Sequence, residues 1–191
     1  YGHIFRRLVH ISIIIVPLLY YYLLSNHIVL FGLTSSQLLS LLAVCMIIIE
    51  GLRLKLGIII FGHREYERTK ISSFAWGIII AAIVLLVLPL YGWHGCAFGL
   101  PILTGLAIID PVLGELRTFN FKEFYVVLFG VFLAASIWYL SAIFLHTPWL
   151  IASILIPITV LAECIKCKDL DDNAVMLLLP TTIVILYTPW L

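Results

Sequence analysis

The sequence predicts an all-α, polytopic membrane bundle of about seven spans with its N-terminus in the cytoplasm. Three observations lead there. Of 191 residues, 63% are hydrophobic and only 11% charged, where soluble domains carry about 25%. Seven segments approach the roughly 20 apolar residues that cross a bilayer. All 11 Lys and Arg and all 10 Asp and Glu can be placed on one side of that membrane.

The expected spans lie near 8–24, 28–49, 73–90, 93–109, 124–144, 146–162 and 174–190. They form one integral-membrane domain, 1–191, with little soluble mass. The charges gather at the N-terminus and at inner connections near 50–72, 110–123 and 164–173. The opposite turns, near 25–27, 91–92 and 146–147, carry none. The Lys/Arg bias sets the orientation. Carboxylates obey no such rule, so their gathering on the same face asks for a functional reason. The first apolar run is long enough to be a span and is not read as a cleavable signal peptide. A net charge of +1 gives no reason to expect nucleic acid.

Span one opens with Arg6-Arg7-Leu8-Val9-His10. On a helix, His10 stands three and four residues from the arginines and can share their face. Paired arginines are an ordinary inner anchor, but an ionisable His10 inside an apolar run needs a partner. Span two closes with Glu50-Gly51-Leu52-Arg53, spaced for a local ion pair. The following connection has an apolar part, 54–62, and a run of both charge signs, 63–70, that reads as a solvated loop. Span four ends at Asp110, where Pro111 is expected to stop the helix and Gly114 to let the chain turn. Asp110 and Glu115 on such a turn are candidates to share a divalent cation, and Arg117 to bind phosphate.

Glu163 closes span six, followed by Asp169, Asp171, Asp172 and Asn173. Asp172 or Asn173 suits the N-cap of span seven. Capping explains one of these residues. Carboxylates facing those of 110–117 suggest a cation, and the N-terminus of span seven favours a nearby phosphate. Pro17, Pro101, Pro157 and Pro180 lie within spans, and each frees a carbonyl that a neighbour or water must satisfy. Cys164 and Cys167 have CxxC spacing without two further ligands nearby, so they read as small apolar residues. His27, His94 and His146, in outer turns, lack a supporting carboxylate and read as structural.

Together these elements resemble the dolichol kinase/phytol kinase family of polytopic CTP-dependent lipid kinases. The resemblance rests on Arg6-Arg7-Leu8-Val9-His10-Ile11, Glu50-Gly51-Leu52-Arg53, Asp110 after span four, and Glu163 followed by Asp171-Asp172-Asn173 with Pro180 downstream. It covers nearly the whole chain on few residues. A Gly-rich stretch and a Lys-Thr-x-Glu-Gly-like segment follow the aspartate in the family. Here Lys122-Glu123 is the remnant.

The resemblance implies a lipid kinase at the cytoplasmic membrane face, with CTP as donor, Mg²⁺ as cation and a long isoprenoid alcohol as acceptor. Phosphoryl transfer needs held phosphates, neutralised charge and an aligned hydroxyl. The metal candidates are Asp110, Glu115 and Asp172. Phosphate candidates are Arg6, Arg7, Arg53, Arg117 and Asn173, with Glu50 in the same group. Glu163 or His10 would receive the hydroxyl proton. A cytidylyltransferase making a CDP-lipid needs similar groups. A transporter would place polar groups at mid-membrane with a path to both faces. A binding protein without catalysis is the remaining alternative.

Overall fold

The computed structural model describes residues 7, 10–59, 65–91, 94–165, 167 and 170–187. Arg6, His63, Arg64 and Asp169 lie outside them. The described residues form seven α-helices: α1 (Ile15–Ser25), α2 (Ser35–Leu56), α3 (Ser73–Val87), α4 (His94–Thr118), α5 (Glu123–Phe144), α6 (Trp149–Cys164) and α7 (Asp172–Tyr187). Short 3₁₀ turns at Glu65–Arg68 and Leu88–Tyr91 flank α3.

Among the described residues, four helical segments are long and apolar enough to cross a membrane: Ser35–Leu56, Ser73–Leu90, Gly95–Thr118 and Glu123–Phe144. The other three, at His10–Ser25, Trp149–Cys164 and Asp172–Tyr187, are apolar but shorter. Helices α6 and α7 have 16 residues each. At 1.5 Å per residue that is about 24 Å, less than the ~30 Å hydrocarbon layer.

Helix ends follow local chemistry. Thr34 caps α2 with a reciprocal box: its Oγ1 accepts the Gln37 N–H at 3.3 Å, and Gln37 Oε1 accepts the Thr34 N–H at 2.9 Å. Gly57, at φ 62°, ends α2 as the Ile58 N–H reaches back to the Arg53 carbonyl. Asn120, at φ 59°, closes α4 in the same way through Phe121 and Leu116. On the other side, His27 (φ 51°) and His146 (φ 58°) adopt the left-handed conformation after α1 and α5. Their observed role is in helix termination.

Helix α4 is the hub. Phe98, Ile102, Leu103, Leu106, Ile109 and Leu113 along it are almost fully buried. It packs on α5 and α7, and α7 packs in turn on α3, α4 and α6. Small residues permit close approach. A Cβ at Gly99 would sit 2.0 Å from the Tyr21 hydroxyl, and one at Gly130 would sit 2.9 Å from Leu113. Pro101 leaves the Ala97 carbonyl without its helical donor. Ser141 and Thr147 replace it, donating to that oxygen at 2.9 and 2.8 Å.

The structure corrects one sequence expectation here. Pro111 does not stop the fourth helix, which continues through Thr118. Asp110 and Glu115 therefore lie on helix rather than on a turn. Five residues of helix separate them by about 7.5 Å along the axis and about 140° around it. They do not share a turn that could close on one cation.

Candidate functional site

Four polar groupings occupy one end of the bundle, each built by helix termini. The first joins the N-terminal segment to α4. His10 is buried, and its Nδ1 lies 3.3 Å from Asp110 Oδ2. Arg7 pairs with Glu115. The earlier N-terminal residue meets the later α4 residue, as antiparallel neighbours require. A buried imidazole beside a carboxylate is held in orientation.

The second grouping centres on Arg53, buried with Glu50 at the end of α2. All five guanidinium donors are engaged. Nε and Nη2 meet the two Glu50 oxygens at 2.9 and 2.8 Å. The carbonyls of Ile58, Glu67 and Lys70 accept the others at 3.2, 2.7 and 2.6 Å. Arg53 thus binds the connection from α2 to α3 around itself. Glu50 Oε1 also accepts the Ser72 N–H at 2.6 Å, and buried Glu67 accepts the Ser73 N–H at 3.0 Å. Two carboxylates therefore fill the N-terminus of α3, where negative charge is favoured.

The third grouping is Arg117, which ties α4 to α5 and α6. It pairs bidentately with Glu163 and also with Glu123. The Glu163 side chain is 6% exposed, that of Glu123 60%. The contact to Glu163 is buried, while the contact to Glu123 faces solvent.

The fourth lies where α7 starts beside α3. Asp171, not Asp172 or Asn173, is the residue preceding α7 that caps it, accepting the Asn173 N–H at 3.0 Å. Ser73 Oγ donates to the other Asp171 oxygen at 2.6 Å. Asn173 is 1% exposed, and its Nδ2 donates to the Ser73 carbonyl at 3.4 Å. Its Oδ1 is buried with no hydrogen-bond partner. Burial pushes the Asp171 carboxyl above its ordinary range and neighbouring Asp172 adds to the rise, against the Ser73 hydroxyl and the Asn173 N–H.

The structure thus brings His10 to Asp110, Arg7 to Glu115, Glu50 to Arg53 and Arg117 to Glu163. Asp110, Glu115 and Asp172 have separate neighbours, and among the described residues no three His, Cys, Asp or Glu side chains gather as a metal-binding group. The guanidiniums of Arg7, Arg53 and Arg117 contact the chain's own carboxylates and carbonyls. Cys164 and Cys167 are free and exposed. Ser72 and Ser73 are not among the residues expected from the sequence, although a serine just before an apolar run is a helix-start signal. Glu67, expected in a solvated loop, is buried. Nothing in that charged run marks one acid as buried.

Comparison with known protein families, curated proteins and solved structures finds no match.

Proposed function

We propose that this chain is a seven-span integral-membrane lipid kinase with its N-terminus and polar end in the cytoplasm. It transfers the γ-phosphoryl group of CTP, or of another nucleoside triphosphate, to the hydroxyl of a polyprenol- or dolichol-like alcohol. The observation that carries this reading is the buried contact between His10 and Asp110 at the charged end of an apolar bundle. A hydroxyl delivered there from the membrane finds an imidazole placed against a carboxylate, a geometry suited to accept its proton.

The lipid oxygen attacks the γ-phosphorus as the bond from that phosphorus to the β–γ bridging oxygen breaks. The hydroxyl proton passes to the His10–Asp110 pair, and the nucleoside diphosphate leaves. Glu163, the other acceptor expected from sequence, is held by Arg117 and serves to orient it. Arg117 is the phosphate-binding cation best placed to act. A phosphate oxygen replacing exposed Glu123 keeps the inner contact to Glu163 and gains bidentate donors. Arg53 positions the α2–α3 connection.

Mg²⁺, when bound, would neutralise the charge on the donor phosphates. It usually takes one or two protein carboxylates together with phosphate oxygens, so no larger preformed group is required. The orphaned Asn173 oxygen beside Asp171 and Asp172 fits such an ion.

Label position tests the reading. Purified chain is incubated with Mg²⁺, a polyprenol and CTP labelled at the α or the γ position. Label from the γ position in a lipid monophosphate, with release of CDP, is expected. Label from the α position with release of pyrophosphate, given a phosphorylated lipid, would instead show a cytidylyltransferase. Saturable nucleotide binding with neither product would show a binding protein.

A further inference from the structure

We propose that the start of α7 is a binding site for a hard divalent cation, formed by Asp171, Asp172 and the side-chain oxygen of Asn173. The site rests on the phosphoryl-transfer reading for its purpose but not for its chemistry.

The first argument is charge. Glu50, Glu115, Glu123 and Glu163 each meet an arginine, and Asp110 meets His10. Among the described residues, neither Asp171 nor Asp172 pairs with a lysine or arginine. Their two adjacent carboxylates share one donor, the Asn173 N–H, at 3.0 and 3.1 Å. Asp171 has one further donor, Ser73 Oγ. The positive end of α7 offsets about half an elementary charge, so among the described residues most of the negative charge remains uncompensated.

The second argument is independent of charge. Asn173 Oδ1 is an acceptor with no donor, on a residue 1% exposed. A buried polar atom left so is costly, and such atoms usually mark a water or ion. The carboxamide is held at Ser73, the same residue that holds the Asp171 carboxylate. Asn173 and the Asp171 carboxylate therefore meet at Ser73. An all-oxygen set with carboxylates selects Mg²⁺ or Mn²⁺ over softer metals. Two carboxylates and one amide oxygen leave coordination positions for water or phosphate oxygens.

The full chain in detergent micelles can be titrated with Mn²⁺, with free ion followed by electron paramagnetic resonance and Mg²⁺ as competitor. One saturable site per chain is expected, displaced by Mg²⁺. Asp172→Asn should weaken it by roughly tenfold or more, at least the loss that accompanies removal of a supporting group around a metal. Asn173→Asp keeps an oxygen in place and adds charge. It should bind Mn²⁺ more tightly than the native chain and gain thermal stability on adding the ion. Absence of a saturable component in the native chain would overturn the proposal. So would an unchanged titration in Asp172→Asn, or no tightening in Asn173→Asp, which also covers the case in which Asp172→Asn does not fold. Lipid phosphorylation without such a Mn²⁺ site would refute this site and leave the kinase reading standing. A saturable site without phosphoryl transfer would do the reverse.

Discussion

Arg53 holds the α2–α3 connection through its guanidinium donors. The Glu50-x-x-Arg53 spacing already made an ion pair legible. That all five donors are consumed was not, because three of its acceptors are backbone carbonyls at Ile58, Glu67 and Lys70. Their positions depend on the path of a connection that has no periodicity to read. Breaking a buried pair strands the remaining charge at a cost of about 3–5 kcal/mol. Arg53→Ala should therefore lose most of its folded fraction in detergent, measured by thermal unfolding. Arg53→Lys should rescue little of it, since an ammonium cannot reproduce the fork. Full stability of either variant would contradict the clamp. Arg117 differs because its outer partner is exposed. Glu123→Gln should leave the fold intact and raise nucleotide affinity by up to about fivefold, the equivalent of about 1 kcal/mol for an exposed pair. Calorimetric titration with CTP checks this, and weaker binding would show that Glu123 helps to hold the nucleotide.

At the scale of elements, apolar runs disclosed the helices and proline chemistry disclosed their needs. The expectation that an in-span proline frees a carbonyl is met at Pro101, whose Ala97 oxygen accepts from Ser141 and Thr147. The expectation that Pro111 ends a helix failed. A proline restricts the residue before it and removes one bond, but packing on both sides of α4 holds the helix through that defect. The start of α7 was legible as a cluster of capping residues, though not which of three consecutive residues would cap. That choice depends on Ser73, 98 positions away from Asp171. The Pro101 account predicts coupling. Replacing Ser141 by Ala together with Thr147 by Val should destabilise the native chain by about 1–2 kcal/mol, the scale of interhelical hydrogen bonds in membranes. With Pro101→Ala also present, the cost should shrink, because Ala97 regains a helical donor. Equal costs in both backgrounds would contradict the substitution of donors.

For the whole molecule, the separation of charge was the most legible feature, and it set the expected topology. Which acids meet which bases was not legible, since those contacts arise from packing among α4, α5, α6 and the N-terminal segment. Sided labelling of single cysteines checks the topology. A cysteine at Asn26, which is exposed, should react only from outside, and one at Lys70, also exposed, only from inside. Reaction of both from one side would reject the orientation. The central claim is that this polar end transfers phosphate and that Asp110 with His10 takes part in it. The most direct measurement is the specific activity of folded, purified Asp110→Asn protein with γ-labelled CTP, Mg²⁺ and a polyprenol. The account expects the native chain to form lipid phosphate and the variant to lose at least about 100-fold, as when a preorganised electrostatic contact is removed. Near-native activity in a variant with native thermal stability would contradict it.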